Sequence, residues 1–341
     1  MTHRWPTHGG AREWAEARYG PPPQGRWLDF SANIHPSGCP PRILEALRRA
    51  LDRVALYPDP EAARTTAALA RRLGVPAECV LLTNGGSQAL YLALGSLRPG
   101  SVGVVQPCFA EYARAAAAVG ATVRAVVAPP PFAWQAPPPG CECLVLGRPN
   151  NPTGMLPPPL QHPRVVWDEA FIDFTPAPGA ATMRYRAARG SCIVVGSLTK
   201  LYGLAGLRAG YVVAEPGAIA AMARLQPAWS VNTLAQVAVE AACATAVDLS
   251  WLAPTRAALA AGLRNCGLRP FPSSANFLLV DCAPMSGQAL CDRLGPRGIL
   301  IRDAGNFPGL GPNYVRVAVR WPEENAQLLA AIRAATGDRR S

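Results

Sequence analysis

Lysine is almost missing from this chain of 341 residues: Lys200 stands alone, and arginine supplies every other strong base. The 33 basic residues outnumber the 22 acidic ones, for a net charge of +11 that favours anionic ligands. No basic run is interleaved with aromatics as a nucleic-acid surface would be, so no nucleic-acid partner is expected. No segment approaches the roughly 20 uninterrupted apolar residues of a membrane span. The opening Met1-Thr2-His3-Arg4-Trp5-Pro6 lacks the apolar core of a signal peptide. The expectation is a cytoplasmic protein without membrane association. The ten cysteines include no Cys-x-x-Cys pair. Metal binding at Cys141 and Cys143 is not expected, and His3, His8, His35 and His162 lack ligand spacing, so no metal is expected. The thiols read as reduced and mostly buried.

What the chain does hold is a repeated alternation of short apolar strands with helices. Val80–Thr83, Val102–Val105, Cys143–Leu146, Val165–Phe171 and Ser191–Gly196 read as buried strands. Helical periods cover Ala11–Arg18, Arg42–Val54 and Ala89–Leu97. This predicts an α/β fold with a mostly parallel sheet covered on both faces. Beyond Asn232 a long helical stretch is expected to about Leu263, then strands at Phe277–Val280, Ile299–Arg302 and Tyr314–Val319 in a smaller α+β domain. The expected division is an N-terminal arm over 1–40, a large domain over 41–228 and a small C-terminal domain over 229–341. The prolines of 129–139 read as a stiff surface loop.

Chemistry concentrates where strands end. After Ser191–Gly196, the run Ser197-Leu198-Thr199-Lys200 leads to Arg208. A lysine amine on such a loop can form a Schiff base, while Ser197, Thr199 and Arg208 offer two hydroxyls and a guanidinium to a phosphate. Together they describe a pocket for pyridoxal phosphate. Asp168 ends another strand, where open α/β sheets gather ligands, and an aspartate there can keep a pyridine nitrogen protonated. Asn84-Gly85-Gly86-Ser87 precedes a helix, and amides at a helix N-terminus attract anions.

Arg148-Pro149-Asn150-Asn151-Pro152-Thr153-Gly154, Asp168-Glu169-Ala170, Ser197-x-Thr199-Lys200 and Arg208 occur in the order and at the spacing of the fold-type I pyridoxal-phosphate enzymes, the class I/II aminotransferase family, which the chain resembles over nearly its whole length. The resemblance implies that Gly86 and Ser87 bind the cofactor phosphate, that Phe109 stacks on the pyridine ring, and that Asn151 meets its phenolic oxygen. It implies a homodimer with shared sites, Tyr57 reaching the partner's cofactor phosphate. It also places Arg316 on the substrate α-carboxylate, where a guanidinium fork fits.

Within that family, His8-Gly9-Gly10, Leu28–Ile34, Asp168–Phe174 and Phe307-Pro308-Gly309-Leu310 are similar to the threonine-phosphate decarboxylase branch. This implies loss of carbon dioxide from L-threonine O-3-phosphate, with Asn151 beside Arg316 at the carboxylate. His8, Gly9, Asn33 and Arg148 are the candidates for the substrate phosphate. Phe171 stands where many aminotransferases carry a tyrosine. The alternative is a histidinol-phosphate aminotransferase, which shares the cofactor residues.

Overall fold

The computed structural model describes Pro6, residues 8–160 and residues 162–337. Residues 1–5 and 7 of the expected arm, and with them most of the stretch read against a signal peptide, lie outside the described residues, as do the last four of the expected small domain.

After strand β1 (Leu28–Asp29), seven strands build the main sheet: β2 (Val80–Asn84), β3 (Ser101–Gln106), β4 (Thr122–Val127), β5 (Cys143–Gly147), β6 (Val165–Asp168), β7 (Ile193–Ser197) and β8 (Ala209–Val213). Their spatial order is β2-β8-β7-β6-β5-β3-β4. All run parallel except β8, which is antiparallel to both β2 and β7. The fold is α/β with a mostly parallel sheet. Every residue of β5, β7 and β8 is buried, as expected of strands covered on both faces. Alternate residues feed two cores: Cys141, Leu144 and Leu146 join one, Cys143 and Val145 the other. Within β5 the period of two holds, Cys143 with Val145 and Leu144 with Leu146; Cys141 faces the other way from Cys143 only because it precedes the strand.

A second, antiparallel sheet holds β9 (Arg269–Pro270), β10 (Phe277–Asp281), β12 (Arg302–Asp303) and β13 (Tyr314–Ala318), in the order β12-β13-β10-β9. The remaining strand, β11 (Ile299–Leu300), pairs in parallel with β1, so the chain leading out of the N-terminal arm is stitched to the C-terminal part.

Three expectations need correction. The strand expected over Ile299–Arg302 changes sheets at Ile301: Ile299 and Leu300 pair with Leu28 and Asp29, whereas Arg302 and Asp303 pair with Arg316 and Val315. The helix expected from Asn232 to Leu263 is two, Thr233–Cys243 and Leu252–Asn265. Between them Asp248 accepts from both the amide and the hydroxyl of Ser250, a local turn that competes with helix. The period over Arg42–Val54 gives a helix only over Pro41–Arg49, followed by a tighter turn at Leu51–Ala55 that leaves Leu51 and Val54 exposed.

Candidate active site

The carboxyl ends of β2, β3, β5, β6 and β7 open toward one side of the main sheet, where Asn84, Gln106, Gly147, Asp168 and Ser197 end their strands. Because β8 runs the other way, its amino end lies there too, and Arg208 precedes it directly. That edge of an open sheet is where ligands collect. A cavity open to solvent lies over it. His8, Gly9, Asn33, Ser87, Phe109, Asn151, Asp168, Lys200, Arg208 and Arg316 all line this cavity.

Just past β7, the hydroxyls of Ser197 and Thr199 lie 2.7 Å apart and the Thr199 amide donates to Ser197 Oγ at 3.3 Å. The Lys200 carbonyl accepts from the His35 amide at 2.9 Å, fastening the lysine loop. Burial, helped by the Arg316 and Arg208 charges, lowers the Lys200 pKa to about 8 against the pull of Asp168 and Asp29. An amine so shifted holds a neutral fraction near physiological pH and can attack a carbonyl.

β6 delivers Asp168. Its Oδ2 accepts the Tyr112 hydroxyl at 2.8 Å, and its Oδ1 accepts the Ala170 amide at 3.0 Å. Burial raises the carboxyl pKa while these two hydrogen bonds and the Lys200 charge lower it. Tyr112 was missed as a site residue from sequence; its spacing of three from Phe109, at the start of the helix Glu111–Ala118, was the available signal. Phe109 meets the Tyr112 ring edge-on at 5.8 Å and the His8 ring at 6.0 Å. The His8 Nε2 lies 3.7 Å from Glu111 Oε1.

At the other end of the cavity the helix Gly85–Leu97 points its N-terminus at Arg208. Gly85 has φ +78°, and a Cβ there would lie 2.7 Å from Arg208 Nη2. A side chain at Gly210 would strike the Gly85 backbone. Bare backbone at both positions lets the arginine and the helix end converge, as an anion site requires. Gly86 sits next to Gly196 and Ser197, with room for only an ordinary contact.

Arg316, on β13, is buried. Its Nη1 donates to Asn151 Oδ1 at 2.5 Å and its Nη2 to the Ser31 carbonyl at 2.8 Å, while its Nε has no partner among the described residues. Among the described residues no carboxylate lies within 4.0 Å of it. Burial and the nearby Arg302 lower its pKa to about 9. A buried guanidinium facing only neutral oxygens is electrostatically incomplete, and an anion in the cavity would complete it. Asn33 also lines the cavity and is buried, and neither its amide nitrogen nor its amide oxygen is hydrogen-bonded among the described residues. Arg302 also lines the cavity, its Nη2 donating to Asn306 Oδ1 at 2.8 Å.

Arg148 does not line the cavity and is withdrawn as a candidate for the substrate phosphate. Its Nε donates to the Ala181 carbonyl at 2.9 Å and its guanidinium packs over the Trp167 ring. The residue directly after β5 turns into the protein, whereas Asn151, three positions on and within the following turn, faces the cavity. Tyr57 is 83% exposed and lies outside the cavity, tilted against Trp229 at 4.9 Å.

This donor set fits pyridoxal 5'-phosphate. A buried amine of lowered pKa suits its aldehyde, and a helix end with Arg208 and two hydroxyls suits its phosphate. An anchored carboxylate suits its ring nitrogen, and an aromatic ring lies nearby to cover its face.

A family model described as aminotransferase class I and II matches residues 25–332. Threonine-phosphate decarboxylase of Salmonella typhimurium is 37% identical over 350 residues, covering 96% of this chain and 95% of that one. A histidinol-phosphate aminotransferase of Symbiobacterium thermophilum is 34% identical over 343 residues, 91% of each. The crystal structure of L-threonine-O-3-phosphate decarboxylase from Porphyromonas gingivalis superposes with a TM-score of 0.81 at 26% identity, covering 89% of this chain and 98% of that one.

Proposed function

Since the chain belongs to the class I and II aminotransferase family, whose cofactor is pyridoxal 5'-phosphate, we propose that it decarboxylates L-threonine O-3-phosphate to (R)-1-amino-2-propanol O-2-phosphate, an intermediate that the resemblance links to cobalamin. The observation that carries the reading is the grouping in one cavity of Arg316, which lacks a carboxylate partner among the described residues, with Arg302, His8 and the unsatisfied amide of Asn33. These are donors for two anionic groups. The Salmonella and Porphyromonas relatives carry the name of this reaction.

In this reading Lys200 holds the cofactor by its amine, and Gly86, Ser87, Ser197, Thr199 and Arg208 hold its phosphate. Phe109 covers the ring, Asn151 reaches the phenolic oxygen, and Asp168 pairs with the ring nitrogen. When bound, the cofactor is an electron sink for a bond broken at the substrate Cα. Ionised Asp168 keeps the ring nitrogen protonated, and Tyr112 keeps Asp168 ionised. Arg316 and Asn151 orient the α-carboxylate. His8, Gly9 and Asn33 meet the substrate phosphate, whose charge of about −1.5 to −2 calls for several donors. Lys200 Nζ holds the proton that returns to Cα. Phe171, on the cavity wall against Phe277 at 5.0 Å, offers no hydroxyl to the cofactor, which weighs against ordinary transamination.

The active unit in this proposal is a homodimer, with Tyr57 completing the partner's phosphate site. A second reading, histidinol-phosphate aminotransferase, draws support from the relative at 34% identity and from cofactor residues that serve both reactions. The cofactor-loaded protein with L-threonine O-3-phosphate should release carbon dioxide, and with L-histidinol phosphate and 2-oxoglutarate it should form no glutamate. The converse result would overturn the decarboxylase reading and favour the transaminase.

A further inference from the structure

We propose that Ser31 is a positioning residue that holds the carboxylate grip and the phosphate grip at a fixed separation and thereby sets the length of substrate accepted. The inference rests on the reading above, in which Arg316 takes the carboxylate and the His8-Gly9 segment the phosphate.

Ser31 is buried between the two. Its carbonyl accepts from Arg316 Nη2 at 2.8 Å, and its hydroxyl accepts from the Gly10 amide at 2.8 Å. The acceptor for the arginine and the acceptor for the arm therefore belong to one residue. Covalent geometry fixes the distance between them once the side-chain rotamer is fixed. Asp29 fixes it: its Oδ1 accepts the Ser31 hydroxyl at 2.6 Å and the Ser31 amide at 2.9 Å. Asp29 is itself held by the pairing of β1 with β11. On the arm side, a side chain at Gly9 would collide with the Ser31 carbonyl, so the arm lies flush against this residue and carries His8 to the cavity. Deleting the hydroxyl frees the Gly10 amide and loosens the arm, while the backbone carbonyl that meets Arg316 stays in place.

The test compares the affinity of the cofactor-loaded protein for L-threonine O-3-phosphate and for L-threonine. Both are read from the first absorbance change of the bound cofactor on rapid mixing. In the wild type the phosphate should strengthen binding, and the ratio of the two affinities measures the phosphate grip. Ser31→Ala should lower that ratio about fivefold, the scale of one lost hydrogen bond, with L-threonine affinity changed less than twofold. Ser31→Thr, which keeps the hydroxyl, should restore the ratio. Equal loss of both affinities in Ser31→Ala, or an unchanged ratio, would overturn the inference and leave the substrate reading standing. A wild-type ratio near one would overturn the substrate reading itself, and the inference with it. If Ser31→Ala does not retain cofactor, Ser31→Cys, similar in volume but a poor acceptor, carries the same test with the same expected fall.

Discussion

The Tyr112 phenol donates to Asp168 Oδ2 at 2.8 Å from a wholly buried position. Burial raises the Asp168 pKa and this bond lowers it, so Tyr112→Phe should leave the carboxyl more easily protonated. The acid limb of the pH–rate profile should move to higher pH, and turnover at neutral pH should fall roughly tenfold, the scale of a hydrogen bond to a charged group. An unchanged profile would show that Tyr112 only fills space.

Lys200 titrates near 8 in the folded protein, below the ordinary lysine value. Only the neutral amine attacks the cofactor aldehyde. The rate of reconstituting the cofactor-free protein should therefore rise with pH and level off above about 8. Arg316→Met removes a charge that depresses this value and should shift the midpoint upward.

The same shift makes a stability prediction for the cofactor-free protein. Between about 8 and about 10.4 the unfolded chain binds a proton at Lys200 that the folded chain does not, so this residue's contribution to stability improves as pH rises through that window. Below it, the folded state bears the full cost of a buried ammonium. Lys200→Met should melt above the wild type at pH 7, and the gap should narrow by pH 10. A gap that widens with pH would contradict the burial argument.

Gly85 admits Arg208 to the helix end. Gly85→Ala puts a Cβ against the guanidinium and forces a residue with a side chain to φ +78°. Cofactor affinity, measured by equilibrium dialysis, should fall at least about tenfold, at a cost to stability of only about 1 kcal/mol. Wild-type affinity in this variant would remove Arg208 from the phosphate site.

Tyr57, with Leu51, Val54 and Leu56, forms an exposed apolar stretch. Sedimentation of the cofactor-loaded protein should give a dimer. Tyr57→Phe should keep the dimer and weaken cofactor retention several-fold, the loss of one hydrogen bond to phosphate. A monomer with full cofactor affinity would leave Tyr57 a surface residue.

The site was legible where chemistry is local in sequence. Lys200 with Ser197 and Thr199, Asp168 at a strand's end, and Gly86-Ser87 before a helix each carry their meaning within a few residues. What escaped depends on contacts made through space. Tyr112 acquires its role only because β3 and β6 bring their ends together around Asp168. Arg148 has the right chemistry in the right motif, yet its direction is set by Trp167 and Ala181 on neighbouring segments. The switch of sheets at Ile301 arises because Ile299 and Leu300 pair with Leu28 and Asp29, 271 residues earlier, which no local period could announce. Strands β4, β8 and β9 also escaped. β4 is an exposed sheet edge with no buried position, and β9 is two residues long.

β8, the one antiparallel strand of the main sheet, gives the cofactor a part in folding. β2 touches the rest of that sheet only through β8. The start of the helix Gly85–Leu97, after β2, and the Ser197–Thr199 segment, after β7, are bridged within the sheet by β8. The phosphate cradle proposed above would thus be absent from any state in which that strand is missing. A ligand that binds only the completed sheet stabilises it by mass action, by about 2.7 kcal/mol at a hundredfold excess over Kd. In the proposed reading the cofactor would therefore be a keystone as well as a reagent, holding the sheet's edge strand to its centre.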